Sequence, residues 1–200
     1  MSIARLQFEA AASEVIQILK AIPEFSALRV AVIGGLALWR YLPDHRTTND
    51  VDFIINLDSA PGGVKSKLLS LHNSPFVEQA QFFYYKSPNG QLIQVDICPS
   101  WQSPYLPPTS RVLSDIPNGV VPYISATDLL VFKINSCGLR AEPAKALRDA
   151  SDAEALLNLE LRSGPLILTP DQKVPVKAGL VDIAKHTNRT EGWWKERLGL

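Results

Sequence analysis

The sequence predicts an α/β protein of the α+β kind: a mixed β-sheet flanked by helices, with more helices at the C-terminal end. Three observations predict it. Val30 to Ile33 is a β-branched apolar run that passes through Gly34-Gly35 into a short helical stretch, and then into a second strand-like run starting at Asp50. Phe82 to Lys86 and Gln91 to Ile97 are strand-like runs on either side of Ser87-Pro88-Asn89-Gly90, whose Asn-Gly ending is a hairpin signal. From Thr127 onward the apolar residues recur at helical spacing.

Within Ala4 to Ala21, Leu6, Ala10, Val15, Ile18 and Leu19 make an amphipathic leading helix, which Pro23 ends. Val30 to Ile33 should be a buried strand, and Gly34-Gly35 lets the chain turn into the helix Leu36 to Tyr41 with bare N–H groups facing outward. Asp50 to Leu57 is the next strand. Pro61-Gly62-Gly63 opens a helix through Leu71, and the Phe82 to Ile97 hairpin follows. Pro99 to Pro117 holds five prolines, which predicts a long irregular loop or flap. Helices are expected over Thr127 to Leu139, capped by Ser125 or Thr127, and over Pro143 to Leu161. Thr169-Pro170-Asp171-Gln172 is a capping-box start that Pro175 should interrupt, leaving short helices to finish the chain. The expected division is a core with its leading helix over 1–125 and a C-terminal helical region over 126–200 packed on that core.

Composition narrows the class. With 200 residues and 46% hydrophobic content the chain can bury one good core. It has no run of the eighteen or so apolar residues that span a bilayer and no secretory leader pattern, so a soluble cytoplasmic protein is expected. Cys98 and Cys137 are isolated from each other and from the histidines, which signals neither a disulfide framework nor a zinc site. Basic and acidic residues balance at 20 each, so no overall basic field would gather long nucleic acid, although a local groove is compatible. Lys185, His186, Arg189, Lys195 and Arg197 interleave with Trp193-Trp194. That composition suits base stacking, but an aromatic pair on an amphipathic terminal helix packs onto the body first.

The chemistry concentrates between Ile33 and Phe53. Asp50 and Asp52 lie two positions apart in one strand, so both carboxylates leave the same face. Two like charges roughly 7 Å apart at their Cα atoms repel unless a cation sits between them. Mg²⁺ is the hard, oxygen-seeking ion expected there. Gly34-Gly35 with a helix start is a place for phosphate oxygens. In this order, the pieces form the layout of a site for a metal-bound triphosphate.

Gly34-Gly35 followed by Arg46-x-Thr48-x-Asp50-x-Asp52 resembles the polymerase-β-like nucleotidyltransferase superfamily, in particular its minimal and abortive-infection-toxin-like (AbiEii-like) branches, over about the first half of the chain. The second glycine departs from the commoner Gly-Ser of the superfamily, but Gly-Gly is usual in that branch. The resemblance implies the nucleotidyltransferase fold and a third catalytic carboxylate on a neighbouring strand. Asp96, in Gln94-Val95-Asp96-Ile97-Cys98, is the candidate; the other reading puts it on an exposed strand face with Gln94. Later, Asp128-Leu129-Leu130-x-x-Lys133 and Arg148-Asp149-x-x-Asp152 look like the same branch's helical motifs. Lys133 falls inside an apolar helix stripe, where it either snorkels to the rim or, as the resemblance implies, reaches phosphate or acidic groups. Asp149 and Asp152 share a helix side and could partner Lys133, or pair at the surface with Lys145 and Arg148 at i,i+4.

The resemblance thus implies Asp50, Asp52, Asp96 and Lys133 as catalytic residues. The three aspartates would bind two Mg²⁺ ions, and Gly34, Gly35, Arg46, Thr48, Lys133 and Arg148 would contact the nucleotide. The implied reaction transfers a nucleoside monophosphate from a nucleoside triphosphate to an acceptor hydroxyl on a protein, an RNA or tRNA, or a small molecule, with release of pyrophosphate. Two other classes stand beside it. The first is a nucleotide-binding module of the same fold without turnover, suggested by the departure of Gly34-Gly35 from Gly-Ser and opposed by the presence of all three carboxylates. A dinucleotide-binding Rossmann domain would need glycines where Leu36 and Trp39 stand, and so fails its fingerprint.

Overall fold

The computed structural model describes residues 3–200. They form two compact units, one ending at Ile124 and the other covering Ser125–Leu200. The first is a six-stranded mixed sheet with helices. Its strands are β1 (Arg29–Ile33), β2 (Asp50–Ile55), β3 (Phe76–Gln79), β4 (Phe82–Lys86), β5 (Leu92–Pro99) and β6 (Arg111–Val112), in spatial order β3-β4-β5-β2-β1-β6. Only β2 and β5 run parallel; the other neighbouring pairs are antiparallel.

Alternation decides which side of this sheet is core. Val51 and Phe53 on β2, Val95 and Ile97 on β5, and Phe83 and Tyr85 on β4 are all buried. They join a cluster with Ala11, Val15 and Leu19 of helix α1 (Ile3–Lys20) and Val64 and Leu68 of helix α3 (Gly62–Leu69). Residues of opposite parity, Asp50, Asp52, Gln94, Asp96 and Tyr84, are only half-buried and share the other face. Helix α2 (Gly34–Tyr41) starts where β1 ends and packs Leu36 and Trp39 into the core.

The loop expected over Pro99 to Pro117 is more ordered than its prolines suggest. It contains a 3-10 turn at Ser100–Gln102, β6 and a second 3-10 turn at Leu113–Asp115. Its backbone groups are satisfied by β6 pairing with β1, and the Arg29 guanidinium donates to the carbonyls of Pro108 and Ser110. The chain then returns alongside β1, with the Val32 N–H donating to the Pro122 carbonyl and Ile124 to that of Val32.

The second unit holds α4 (Ala126–Cys137), α5 (Pro143–Glu160), α6 (Pro170–Lys185) and α7 (Glu191–Arg197). Ser125, not Thr127, caps α4, accepting from the Asp128 N–H. The Thr169 capping box is present, but Pro175 does not interrupt α6. At the sixth helical position it forfeits one i→i−4 bond, and Val176, Gly179, Leu180 and Ile183 beyond it are buried at helical spacing. Burial of that stripe outweighs one lost bond. Trp194 is fully buried, its Nε1–H donating to Thr187 Oγ1, while the guanidiniums of Arg189 and Arg197 lie 4.8 and 4.9 Å from the centre of the Trp193 ring. No described helix is long and apolar enough to cross a membrane.

Candidate active site

Three carboxylates meet on one face of the sheet, the face opposite Val51 and Phe53. Asp50 and Asp52 leave β2 on that side, and the parallel register sets Asp52 against Asp96 of β5 and Asp50 against Gln94. One carboxylate oxygen from each of Asp50, Asp52 and Asp96 lies within 4.8 Å of the other two. Among the described residues this is the one group of three or more His, Cys, Asp or Glu side chains with that spacing, and all its donors are carboxylate oxygens. Divalent ions such as Mg²⁺ take oxygen ligands at 2.0–2.1 Å in an octahedron. Hard carboxylate donors this close fit such an ion, and without one their charges repel.

Two neutral side chains orient the outer carboxylates. Thr48 Oγ1–H donates to Asp50 Oδ1 at 2.7 Å, and Gln94 Nε2–H donates to Asp96 Oδ2 at 3.0 Å. Each bond engages one oxygen of its aspartate and fixes the carboxylate plane. The Arg46 to Thr48 approach to β2 is itself anchored, because Trp39 Nε1–H of α2 donates to the Arg46 carbonyl.

The diglycine is required by contact as well as by conformation. Gly34 has φ +64°, and a Cβ there would stand 1.8 Å from Asp52 Oδ2. At Gly35 a Cβ would lie 2.1 Å from Thr48 Oγ1 and 3.4 Å from Arg46 Nη1. The backbone at the start of α2 therefore lies directly against Asp52, Thr48 and Arg46. No side chain caps that helix start, and the backbone of its first turn adjoins the carboxylates. Cys98, at the same parity as Asp96, places Sγ 3.4 Å from Ser103 Oγ. Burial above all, and the nearby Asp52 charge, push its thiol upward.

A separate hollow of about 570 Å³ lies among α1, Arg40 and Tyr123, and none of the three aspartates lines it. Its glutamates are already bound, Glu9 by the Tyr123 hydroxyl and Glu14 by that of Tyr85.

In the helical unit, Lys133 is 6% exposed and its ammonium lies 2.6 Å from Asp149 and 2.8 Å from Asp152. Asp149 also accepts from Arg140 at 2.6 Å and from Ser136 at 2.9 Å. Burial pushes the Asp149 carboxyl up, but Lys133 and then Arg140 outweigh it and hold it below the usual carboxylate range. Lys145 pairs with Glu142 rather than Asp149, and Arg148 is exposed. Reading the sequence alone misses Gln94 and Trp39 as parts of the site. Gln94 was visible only as a polar residue of the same strand parity as Asp96.

A crystal structure of an antigenic nucleotidyltransferase-like protein from Paracoccidioides brasiliensis matches 90% of this chain and 88% of its own length, with a TM-score of 0.62 and 24% sequence identity. The chain thus has a nucleotidyltransferase-like fold. The antibiotic-resistance factor ANT(2'')-Ia, solved in solution, is a more distant likeness, with a TM-score of 0.45 and 14% identity over 88% of this chain and 93% of that one. No protein-family model and no curated protein sequence matches the chain.

Proposed function

We propose that this protein is a metal-dependent nucleotidyltransferase of the AbiEii-like branch, transferring a nucleoside monophosphate from a nucleoside triphosphate to an acceptor hydroxyl with release of pyrophosphate. The observation that carries the reading is the meeting of Asp50, Asp52 and Asp96 on one sheet face, with the diglycine backbone in contact with Asp52. A fold-only module without turnover has no need of three mutually repelling carboxylates held in place by Thr48 and Gln94.

In this reading Asp50, Asp52 and Asp96 hold Mg²⁺, which when bound neutralises phosphate charge and lowers the pKa of the attacking hydroxyl. The Gly34 and Gly35 amides and the α2 start hold triphosphate oxygens, and the Arg46 guanidinium adds positive charge beside Gly35. Thr48 and Gln94 keep the carboxylates aimed. Lys133, with Asp149 and Asp152, and the exposed Arg148 are the second motif of the branch, to which we assign nucleotide contact. The two free thiols suit a reducing cytoplasm, the setting we propose.

The test is incubation of the full chain with each α-labelled nucleoside triphosphate, Mg²⁺ and a cell extract. Label should pass to a macromolecule or small acceptor, and Asp52→Asn should abolish the transfer. Absence of transfer with all four triphosphates, or transfer untouched by Asp52→Asn, contradicts the reading.

A further inference from the structure

The strand beside β5 carries aromatic residues that the core does not use. β4 reads Phe82-Phe83-Tyr84-Tyr85-Lys86, and its alternation splits them cleanly. Phe83 and Tyr85 are buried against Phe76, the Phe76 and Phe83 rings stacking at 5.3 Å. Phe82, 41% exposed, half-buried Tyr84 and exposed Lys86 occupy the opposite face, which is the face of the three aspartates. The register sets Tyr84 beside Gln94, and Gln94 beside Asp50. Tyr84, Gln94 and Asp50 therefore form one row across three strands, spanning about 10 Å at the strand spacing of a sheet. The Phe82 and Tyr84 rings lie 6.4 Å apart with a 55° tilt.

Direction decides what this ledge faces. The diglycine follows β1, on one flank of the carboxylates, and β4 stands on the other flank in the order β4-β5-β2-β1. Phosphoryl transfer needs the attacking and leaving oxygens roughly in line. With the triphosphate tail at the diglycine, the acceptor hydroxyl must come from the β5 and β4 side. Two outward aromatics followed by a lysine, at alternate positions on one strand, suit stacked bases and the phosphate joining them.

We propose that Phe82, Tyr84 and Lys86 form an acceptor platform on which the unpaired end of a polynucleotide stacks its bases, with its terminal hydroxyl directed to Asp96. This rests on the nucleotidyltransferase reading and names the acceptor class of that site.

The experiment is fluorescence anisotropy of a short, dye-labelled single-stranded oligoribonucleotide titrated with the full chain in chelator, so that no turnover enters. Saturable binding is expected, weakened about tenfold by Tyr84→Ala and retained by Tyr84→Trp, which keeps a stacking face. Lys86→Ala should reduce the salt dependence of binding. Asp52→Asn should bind at least as well as the wild type, so failure of the transfer reaction and failure of the platform are separable. No wild-type binding, or equal binding by Tyr84→Ala, overturns the proposal. So does a Tyr84→Ala effect on nucleoside triphosphate affinity alone, which would make the ledge a donor-base site. Labelling of a protein acceptor by wild type and Tyr84→Ala alike would also overturn it.

Discussion

Gly34 and Asp52 are in contact, backbone against carboxylate, so closely that a methyl group on Gly34 would stand 1.8 Å from Asp52 Oδ2. Any side chain at residue 34 must expel that carboxylate or bend α2, and it must also adopt φ +64°. Gly34→Ala is therefore expected to reduce nucleotidyl transfer by about 100-fold or more, the scale of a 1 Å misplacement of a catalytic group. Gly35→Ala acts by a different route, displacing Thr48 from Asp50. Steady-state rates of the two variants check this, with circular dichroism to show that each has folded.

Thr48 and Gln94 act through the carboxylates they orient. Thr48→Val keeps the shape and removes the hydroxyl that donates to Asp50, and Gln94→Leu removes the donor to Asp96. Each should weaken apparent Mg²⁺ affinity by roughly 10- to 100-fold, the usual cost of losing an outer-shell partner. Rates measured across a Mg²⁺ titration distinguish this from a nucleotide defect, because excess metal should restore much of the lost activity.

Three clustered carboxylates should cost the metal-free protein stability. Asp52→Asn removes one charge, so its melting temperature in chelator should rise above that of the wild type by a few degrees, on the order of 1 kcal/mol. Added Mg²⁺ should raise the wild-type melting temperature and leave the variant's nearly unmoved. Differential scanning calorimetry in both buffers reads the two effects. A wild type insensitive to Mg²⁺ would contradict the assignment.

Lys133, Asp149 and Asp152 make a pH-dependent staple between α4 and α5. The folded-state Asp149 value is depressed, so its contribution is present in full above the ordinary carboxylate value of 3.8 and is lost as pH falls through the lower folded value. For this network the wild-type melting temperature should hold between pH 7 and 5 and fall below about pH 4. Lys133→Met leaves two buried carboxylates without their ammonium, at a cost of roughly 3–5 kcal/mol. Asp149 keeps the Arg140 guanidinium, whereas fully buried Asp152 loses its ammonium and burial then favours its neutral form, so the variant should gain stability as pH falls from 7 toward 5. Opposite slopes in melting temperature against pH are the expected outcome.

Much of the site was legible because strand alternation is local. Asp50-x-Asp52 declares a shared face without any knowledge of the fold, and Gly34-Gly35 after an apolar strand declares a turn. The Phe82 to Ile97 hairpin was legible from Asn89-Gly90, and the structure pairs Tyr84 with Gln94 across it. What joins Asp96 to the pair is the parallel register of β2 and β5, a long-range pairing that no local pattern specifies, and only the resemblance pointed to it. β3 was missed because one of its four residues, Phe76, is buried, and β6 because two residues among prolines carry no period. Pro175 misled for the opposite reason: a local breaker was overridden by the buried face that follows it. The i,i+4 rule offered surface partners for Asp149 and Asp152, whereas helix packing gave both to Lys133.

The most direct test of the central claim is a titration of the full chain with Mn²⁺ in the presence of a non-hydrolysable nucleoside triphosphate, followed by electron paramagnetic resonance. Saturable Mn²⁺ binding by the wild type that is lost in both Asp52→Asn and Asp96→Asn is the result predicted. Binding that survives both substitutions, or none in the wild type, would contradict a metal centre built from these three aspartates.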